Sequence, residues 1–372
     1  MPAIMIVAGE PSGDLHASRV ATKIKELQPD ADLSGMGGDL MATAGVELIY
    51  HIHDSAVMGI GEVITSIPAF LRKRKHLKQV IRERRPDAIL LVDFAEFNMG
   101  LAKFAYQLHI PVVYYIPPKA WAWRPSRAKK IAKTTTCVAS IFPFEAEFYQ
   151  RAGAKVEFVG HPLLDFARTE LSCEEARKQL GLREDALVLG LMPGSRRREV
   201  DRLLPVMLEV AHQIRQTFPD CQFVLPLAPN VDRTSMPEMP FVRIVTGRTY
   251  EAMRASELML IASGTATLEA ACLGTPMIVL YKMSQLSWWI ITRLATLDRS
   301  ALPNIIAGQD IVPEILQKEL QTERITSVAL DLLQHPDKRE TQRENLRKVY
   351  EQLGPAGAVE RTARLTLSYL NL

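Results

Sequence analysis

The sequence predicts an α/β protein built from two doubly wound domains, and three observations carry that prediction. Short apolar strands alternate with helical stretches along most of the chain, the rhythm restarts after an interruption near the middle, and small-residue or charged loops follow the strand ends. At 372 residues the chain exceeds one ordinary hydrophobic core, which agrees with two domains.

The elements follow in order. AIMIV reads as a buried strand, with a helix running to Leu27; AILLVDF is a second strand, with a helix to Leu108; PVVYYI and CVASIF continue the series. Such βαβ repetition needs a parallel sheet covered on both faces. The interruption lies between Pro162 and Ser172, just before SCEEARKQLGL, where Ser172 and Glu175 fit a capping box and Gly181 a helix stop. LVLGLMPGS, QFVLPLA, VRIVTG, LMLIASG and MIVLY then supply a second set of strands, and a charged, largely helical tail closes the chain. The expected domains are 1–165 and 172–372, with the tail packed on the first domain or on a partner chain. Two Rossmann-like domains of this kind face a cleft and bind ligands beyond the carboxyl ends of their strands.

Composition narrows the function. With 47% apolar and 23% charged residues the chain is of the soluble globular type, and a formal charge of +3 is too small to imply a nucleic-acid partner. Cys137, Cys173, Cys221 and Cys272 show no C-x-x-C spacing, so neither a metal site nor a disulfide framework is expected, and a reducing cytoplasm fits. The opening MPAIMIVAGE lacks the basic and apolar regions of a signal peptide, and no run of about 18 apolar residues suits a membrane span.

Three loops carry chemistry. AGEPSGD, Ala8 to Asp14, sits where a strand meets a helix, normally a phosphate cradle, but Glu10 and Asp14 would repel a pyrophosphate. It also lacks the G-x-G-x-x-G fingerprint and the P-loop lysine, which disfavours a dinucleotide oxidoreductase. The second half supplies the missing chemistry in LMPGSRRREV, where Gly194 and Ser195 leave a strand and the Arg196 guanidinium can pair with phosphate oxygens in a fork. An ordinary turn with a solvated basic face is the alternative. In LMLIASGTATLEAACLGTP, Ser263, Gly264 and Thr265 suit a diphosphate at a helix terminus and Glu269 the hydroxyls of a ribose, unless Thr265 only caps the helix. Together these two loops point to a nucleotide diphosphate on the second domain, leaving AGEPSGD for another partner.

Ten motifs in register now bring a family into view. VAGEPSGD, GMGGDLMATAG, VMGIGEV, DFAEFN, YYIPPKAWAWRPSR, FPFEAEFY, VGHPLLD, PGSRRREV, ASGTATLEAACLGTPMIVLYKM and LPNIIAG closely resemble the lipid-A-disaccharide synthases, from about Ile4 to about Gln317. The resemblance implies the glycosyltransferase-B fold with the nucleotide-sugar donor on the second domain. It implies that UDP-2,3-diacylglucosamine and 2,3-diacylglucosamine 1-phosphate give a β(1→6) disaccharide 1-phosphate and UDP, with no metal and no other cofactor. It further places Asn304 near the donor, unless that Asn, following a Pro, serves only a turn, and it implies a homodimer contact in the tail from about Gln321.

On this reading Asp93, at the end of an apolar strand, is the general base for the acceptor hydroxyl, the alternative being a helix cap. Glu96 replaces the family's usual aspartate and, with Asn98, is given a binding role. Glu10, Ser12 and Asp14 are expected to hydrogen-bond sugar hydroxyls, with His16 assisting or merely capping, and His161 lies by the interdomain link without an assigned role. Trp121 and Trp123 are expected to stack on sugar and Arg124 and Arg127 to take the acceptor's 1-phosphate, unless the loop is simply buried packing; Pro118 and Lys119 depart from the family pattern.

Both substrates carry acyl chains, so the enzyme is expected on the inner face of the cytoplasmic membrane. Ile64, Ile67, Phe70, Leu71 and Leu77 beside Arg72, Lys73, Arg74 and Lys75 suit an anionic interface, with Trp288, Trp289 and Ile290 as a second contact; a solvated face on a core helix is the alternative. Two rival functions remain: a UDP-N-acetylglucosamine 2-epimerase, which needs no acyl pocket, and a non-catalytic nucleotide- or membrane-binding relative.

Overall fold

A computed structural model describes residues 1–52, 60–167, 169–228, 231–233, 236–283 and 299–370, with 60–68 described as backbone only. The chain forms two compact units, Met1–Asp165 with Leu353–Leu372, and Phe166–Gln352.

The first unit runs β1 (Ala3–Ala8), α1 (Pro11–Leu27), β2 (Asp32–Gly37), α2 (Asp39–Thr43), β3 (Glu47–His51), α3 (Ile60–Arg84), β4 (Ala88–Val92) and α4 (Ala95–Gln107). It continues with β5 (Val112–Tyr115), α5 (Ser126–Thr134), β6 (Cys137–Ser140), α6 (Pro143–Arg151) and β7 (Val156–Phe158). The strands form one parallel sheet of seven in the order β3-β2-β1-β4-β5-β6-β7. AILLV of β4 is buried at every residue because helices cover both faces, the burial that a central parallel strand requires.

The second unit places α8 (Cys173–Leu180), after the short α7 (Leu163–Phe166) at the junction, ahead of a second sheet. Ser172 and Glu175 complete the expected capping box, and Gly181 ends α8 in the left-handed region. Then come β8 (Val188–Met192), α9 (Arg197–Thr217), β9 (Gln222–Leu227), β10 (Val242–Thr246), α10 (Thr249–Ala255), β11 (Leu258–Ala262), α11 (Thr265–Cys272), β12 (Met277–Tyr281) and β13 (Glu314–Leu316). This sheet is also parallel, in the order β10-β9-β8-β11-β12-β13. Each sheet therefore reverses its strand order once, between its first and fourth strands.

The tail is divided. Helices Thr322–Gln334 and Pro336–Gln352 belong to the second unit, whereas Ala358–Leu367 packs on α1 of the first. Asp165 fastens that last helix by accepting the N–H groups of Gly357 and Val359, and Arg361 Nε donates to the Val159 carbonyl at 2.8 Å. This carboxylate cap and guanidinium clamp hold the last stretch of the chain to the first unit.

Candidate active site

In the first unit β1 and β4 pair in parallel with Ala8 opposite Val92, so the loops at Gly9 and Asp93 leave adjacent strands at the switch point. Asp93 and Phe94 both take left-handed backbone, at φ +49° and +48°. For residues with side chains that costs on the order of 1–3 kcal/mol each, so the surroundings must impose it. Asn98, fully buried on α4, does so: its Nδ2 donates to the carbonyls of Val7, Val92 and Asp93 at 3.4, 3.2 and 2.8 Å. The Tyr114 hydroxyl donates to the Asp93 carbonyl at 2.9 Å, and the Asp93 N–H donates to the Tyr115 carbonyl at 3.2 Å. Gly9 leaves room for the Phe94 ring, since a Cβ there would lie 2.1 Å from it.

Burial raises the Asp93 carboxyl above the ordinary aspartate value, partly offset by the Lys119 ammonium and by the Phe94 N–H. A carboxylate poised this way binds a proton more readily than a solvated one, which suits a general base. Asn98, expected to bind substrate, instead spends its amide on the backbone that carries Asp93.

Of the AGEPSGD residues, Glu10 and Ser12 stay exposed at the strand end. Asp14 is corrected: it is buried, and its two oxygens accept the N–H groups of Gly38, Leu40 and Met41 at 2.7, 3.2 and 3.1 Å, capping α2. Burial lowers His16 to about 4 and His161 to about 3, so both rings are neutral near pH 7. His161 Nδ1 accepts the Leu163 N–H at 3.2 Å, which puts the ring proton on Nε2.

The loop after β5 sorts its aromatic pair. Trp121 is 9% exposed and donates from Nε1 to Glu145 at 3.0 Å, so it is packing and does not stack on a sugar. Trp123 is 40% exposed, with the Arg124 and Arg127 guanidinium carbons 4.9 and 4.6 Å from its ring centre. Both arginines donate to Glu96 Oε1. Glu145, quoted within FPFEAEFY but given no role, is a buried carboxylate that also faces Ser140 Oγ at 2.9 Å and the Ile141 N–H at 3.3 Å; burial lifts it to about 7. The signal was an acid set inside an aromatic run.

The second unit repeats the geometry at β8 and β11, where the Pro193–Arg196 and Ser263–Thr265 loops leave neighbouring strands. Gly194 sits at φ +116°, and a Cβ would lie 2.5 Å from the Glu199 carboxylate. Glu199 Oε2 accepts the N–H groups of Ser195 and Arg196, each at 3.3 Å, while Arg196 Nη1 donates to Oε1 at 3.3 Å. The start of α9 thus holds a carboxylate where an anion is favoured, a partner that the R-x-x-E spacing encoded. Thr265 makes no cap; Gly264 begins α11 with no side-chain cap bond and no acid in the first turn. Ser263 Oγ donates to the Ser300 carbonyl at 3.1 Å, and Glu269, raised by burial, accepts the Tyr250 hydroxyl at 3.2 Å.

Asn304 is also corrected. Its Nδ2 donates to the Val312 carbonyl and Glu314 at 2.9 and 2.7 Å, and its Oδ1 accepts the Ile311 and Val312 N–H groups at 2.8 and 2.9 Å. Fully buried and satisfied, it clamps the turn before β13 and has no capacity left for a donor.

On α3, Phe70 is half-buried with its ring 5.9 and 5.1 Å from Phe94 and Phe97, and Leu77 is buried, so these two serve the core and not a lipid interface. Leu71, Arg72 and Lys75 are exposed, while Lys73 lies over Tyr50 and Arg74 over Phe70. The Ile64 and Ile67 side chains, Trp288, Trp289 and Ile290 lie outside the described residues. Among the described residues, no helix is long and apolar enough to cross a membrane and no group of three or more His, Cys, Asp or Glu is placed to hold a metal ion.

Two parallel α/β units with loops gathered at their switch points define the glycosyltransferase-B class of fold. Two solved structures share it at low identity: a Neisseria meningitidis UDP-GlcNAc 2-epimerase bound to UDP-GlcNAc, with TM-score 0.63, 15% identity and full coverage of both chains, and CalG4, the calicheamicin glycosyltransferase, with TM-score 0.64, 16% identity and coverage of 100% of this chain and 98% of that one. The family model described as Lipid-A-disaccharide synthetase matches residues 4–365. The lipid-A-disaccharide synthase of Syntrophus aciditrophicus (strain SB) is 41% identical over 373 residues, covering 99% of this chain and 97% of the relative. The chain belongs to the lipid-A-disaccharide synthase family and is a glycosyltransferase.

Proposed function

We propose that the protein transfers the 2,3-diacylglucosaminyl group of UDP-2,3-diacylglucosamine to the 6-hydroxyl of 2,3-diacylglucosamine 1-phosphate, giving the β(1→6) disaccharide 1-phosphate and UDP. The observation that carries the catalytic assignment is Asp93, a half-buried carboxylate held in left-handed backbone at the switch point of the first sheet. Asp93 takes the proton of the acceptor hydroxyl as its oxygen attacks the anomeric carbon opposite the leaving diphosphate, so an α-linked donor gives a β-linked product. Glu10 and Ser12 face the acceptor sugar, and Arg124, Arg127 and Trp123 receive its 1-phosphate end. In the second unit Gly194, Ser195, Arg196, Ser263, Gly264 and Thr265 hold the diphosphate, whose growing charge is met by a guanidinium and a helix terminus. Glu269 takes the ribose hydroxyls.

The acyl chains of both substrates place the enzyme on the inner face of the cytoplasmic membrane. Leu71, Arg72 and Lys75 on α3 are exposed and basic or apolar as such a contact requires. A homodimer through the tail belongs to the same reading, and sedimentation at a single-chain mass would remove it.

The test is UDP release from UDP-2,3-diacylglucosamine with and without the acceptor, beside an Asp93→Asn variant and a UDP-N-acetylglucosamine control. Acceptor-dependent release that collapses in the variant supports the reading. Turnover of the unacylated nucleotide sugar alone would favour an epimerase.

A further inference from the structure

Glu96 stands in the first turn of α4, three residues after Asp93, and three guanidinium groups from two separate stretches converge on it. Arg127 Nη2 and Arg124 Nη1 both donate to Oε1, the latter at 3.3 Å, and Arg74 Nη1 on α3 donates to the Glu96 carbonyl at 3.2 Å. Three cations against one carboxylate leave a surplus of two positive charges.

The arrangement is built, not incidental. The Arg127 side chain is only 8% exposed, and a guanidinium that far from water needs a partner. Arg124 holds left-handed backbone at φ +57°, a conformation that surroundings must impose, and the Trp123 ring lies within 5 Å of both guanidinium carbons. Yet the anion supplied is a poor match. Both arginines share a single oxygen of a side chain that is 62% exposed, whereas two guanidinium forks can each take two oxygens of a phosphate.

We infer that Glu96 is a resident stand-in for a phosphomonoester: its carboxylate fills the anion position between Arg124 and Arg127 until an incoming phosphate displaces it. This rests on the reading that the acceptor's 1-phosphate docks at these arginines. A phosphomonoester carries about −1.5 to −2 charges near neutral pH, matching the surplus with Glu96 still nearby. The stand-in keeps Arg127 paired when the site is empty, and its displacement brings the phosphate beside the turn that carries Asp93.

Because Glu96 fills the anion position, removing its charge must tighten phosphate binding and must leave Arg127 short of a partner until phosphate supplies one. Inorganic phosphate is the probe, titrated calorimetrically into the full chain with UDP saturating, so that the diphosphate site is filled. Glu96→Gln should bind phosphate about 3- to 10-fold more tightly than the parent, and Arg124→Ala, at an exposed position, at least about 3-fold more weakly. Phosphate should also raise the Tm of Glu96→Gln more than that of the parent, because it restores the partner that Arg127 has lost. Unchanged or weaker phosphate binding by Glu96→Gln, with Arg124→Ala weakened, overturns the stand-in and leaves the docking reading intact. Parent-like binding by both Arg124→Ala and Arg127→Lys overturns the docking reading itself, and the inference with it.

Discussion

Asn98 holds Asp93 by its backbone: the amide nitrogen donates to the Asp93 carbonyl at 2.8 Å and to two neighbouring carbonyls, Val92 and Val7. One buried side chain thereby ties the ends of β1 and β4 to the first turn of α4. Asn98→Ala should unpair those carbonyls in the core and cost about 1–3 kcal/mol, read from urea unfolding. Since the left-handed turn then loses its clamp, kcat should fall by about tenfold or more while the donor KM holds. A variant with lower stability but unchanged kcat would limit Asn98 to a structural role.

If Asp93 is the general base proposed above, the acid limb of the pH–rate profile reports it. Burial raises its pKa and the Lys119 ammonium opposes that rise, so kcat/KM should fall with decreasing pH through a value above the ordinary aspartate range. Lys119→Gln removes the opposing cation, so the limb should move to higher pH. Asp93→Asn should leave too little activity to show one. A limb that stays put in Lys119→Gln would detach either the lysine or the aspartate from the proton transfer.

These two residues also mark how far the sequence could be read. Asp93 was legible because an acid ending a wholly apolar strand has nowhere to go but the carboxyl edge of the sheet. Both sheets were legible in their central strands, AIMIV, AILLV, VLGLM and LMLIA, whose continuous apolar runs betray burial on both faces. Strand β2, one in from the edge, was not, because DLSGMG carries two glycines and little β-propensity. Gly35 is needed where a Cβ would strike the Ile6 carbonyl at 1.8 Å, a demand visible only once β1 is its neighbour. The ligand readings of Asp14 and Asn304 failed for a shared reason: a polar side chain in a loop motif looks the same from sequence whether it faces a ligand or a run of backbone N–H groups elsewhere in the chain. Glu145 was passed over because its partners, Trp121 and Ser140, lie on other elements.

On the proposed donor loop Arg196 is two-thirds exposed and, among the described residues, its guanidinium bonds within its own turn, to Glu199. Arg196→Ala should therefore fold normally. If its guanidinium meets the diphosphate, the variant should bind UDP about 10- to 100-fold more weakly, the effect of losing one charge-assisted contact. Uridine, which lacks the diphosphate, is the internal control and should bind both forms alike. Parallel weakening of uridine would mean that the loop, and not the charge, had been damaged.

Glu145 ties stability to pH in a direction opposite to that of most acids. Burial lifts its carboxyl from about 4.5 to about 7, against the hydrogen bonds from Trp121, Ser140 and Ile141. The folded state therefore binds the proton more tightly than the unfolded one. Its contribution is complete below about pH 4.5 and is lost as pH rises through about 7, where ionising the buried carboxyl costs on the order of 3 kcal/mol. The local bonding suits the neutral acid: Ser140 Oγ lies 2.9 Å from both Glu145 Oε2 and the Phe142 carbonyl, so a protonated Glu145 can donate to Ser140, which donates onward. Glu145→Gln keeps an acceptor for Trp121 and a donor for Ser140 but cannot ionise. Its Tm should thus exceed that of the parent at pH 8 and converge with it near pH 5. A constant difference between the two proteins across that range would show that Glu145 does not change its proton there.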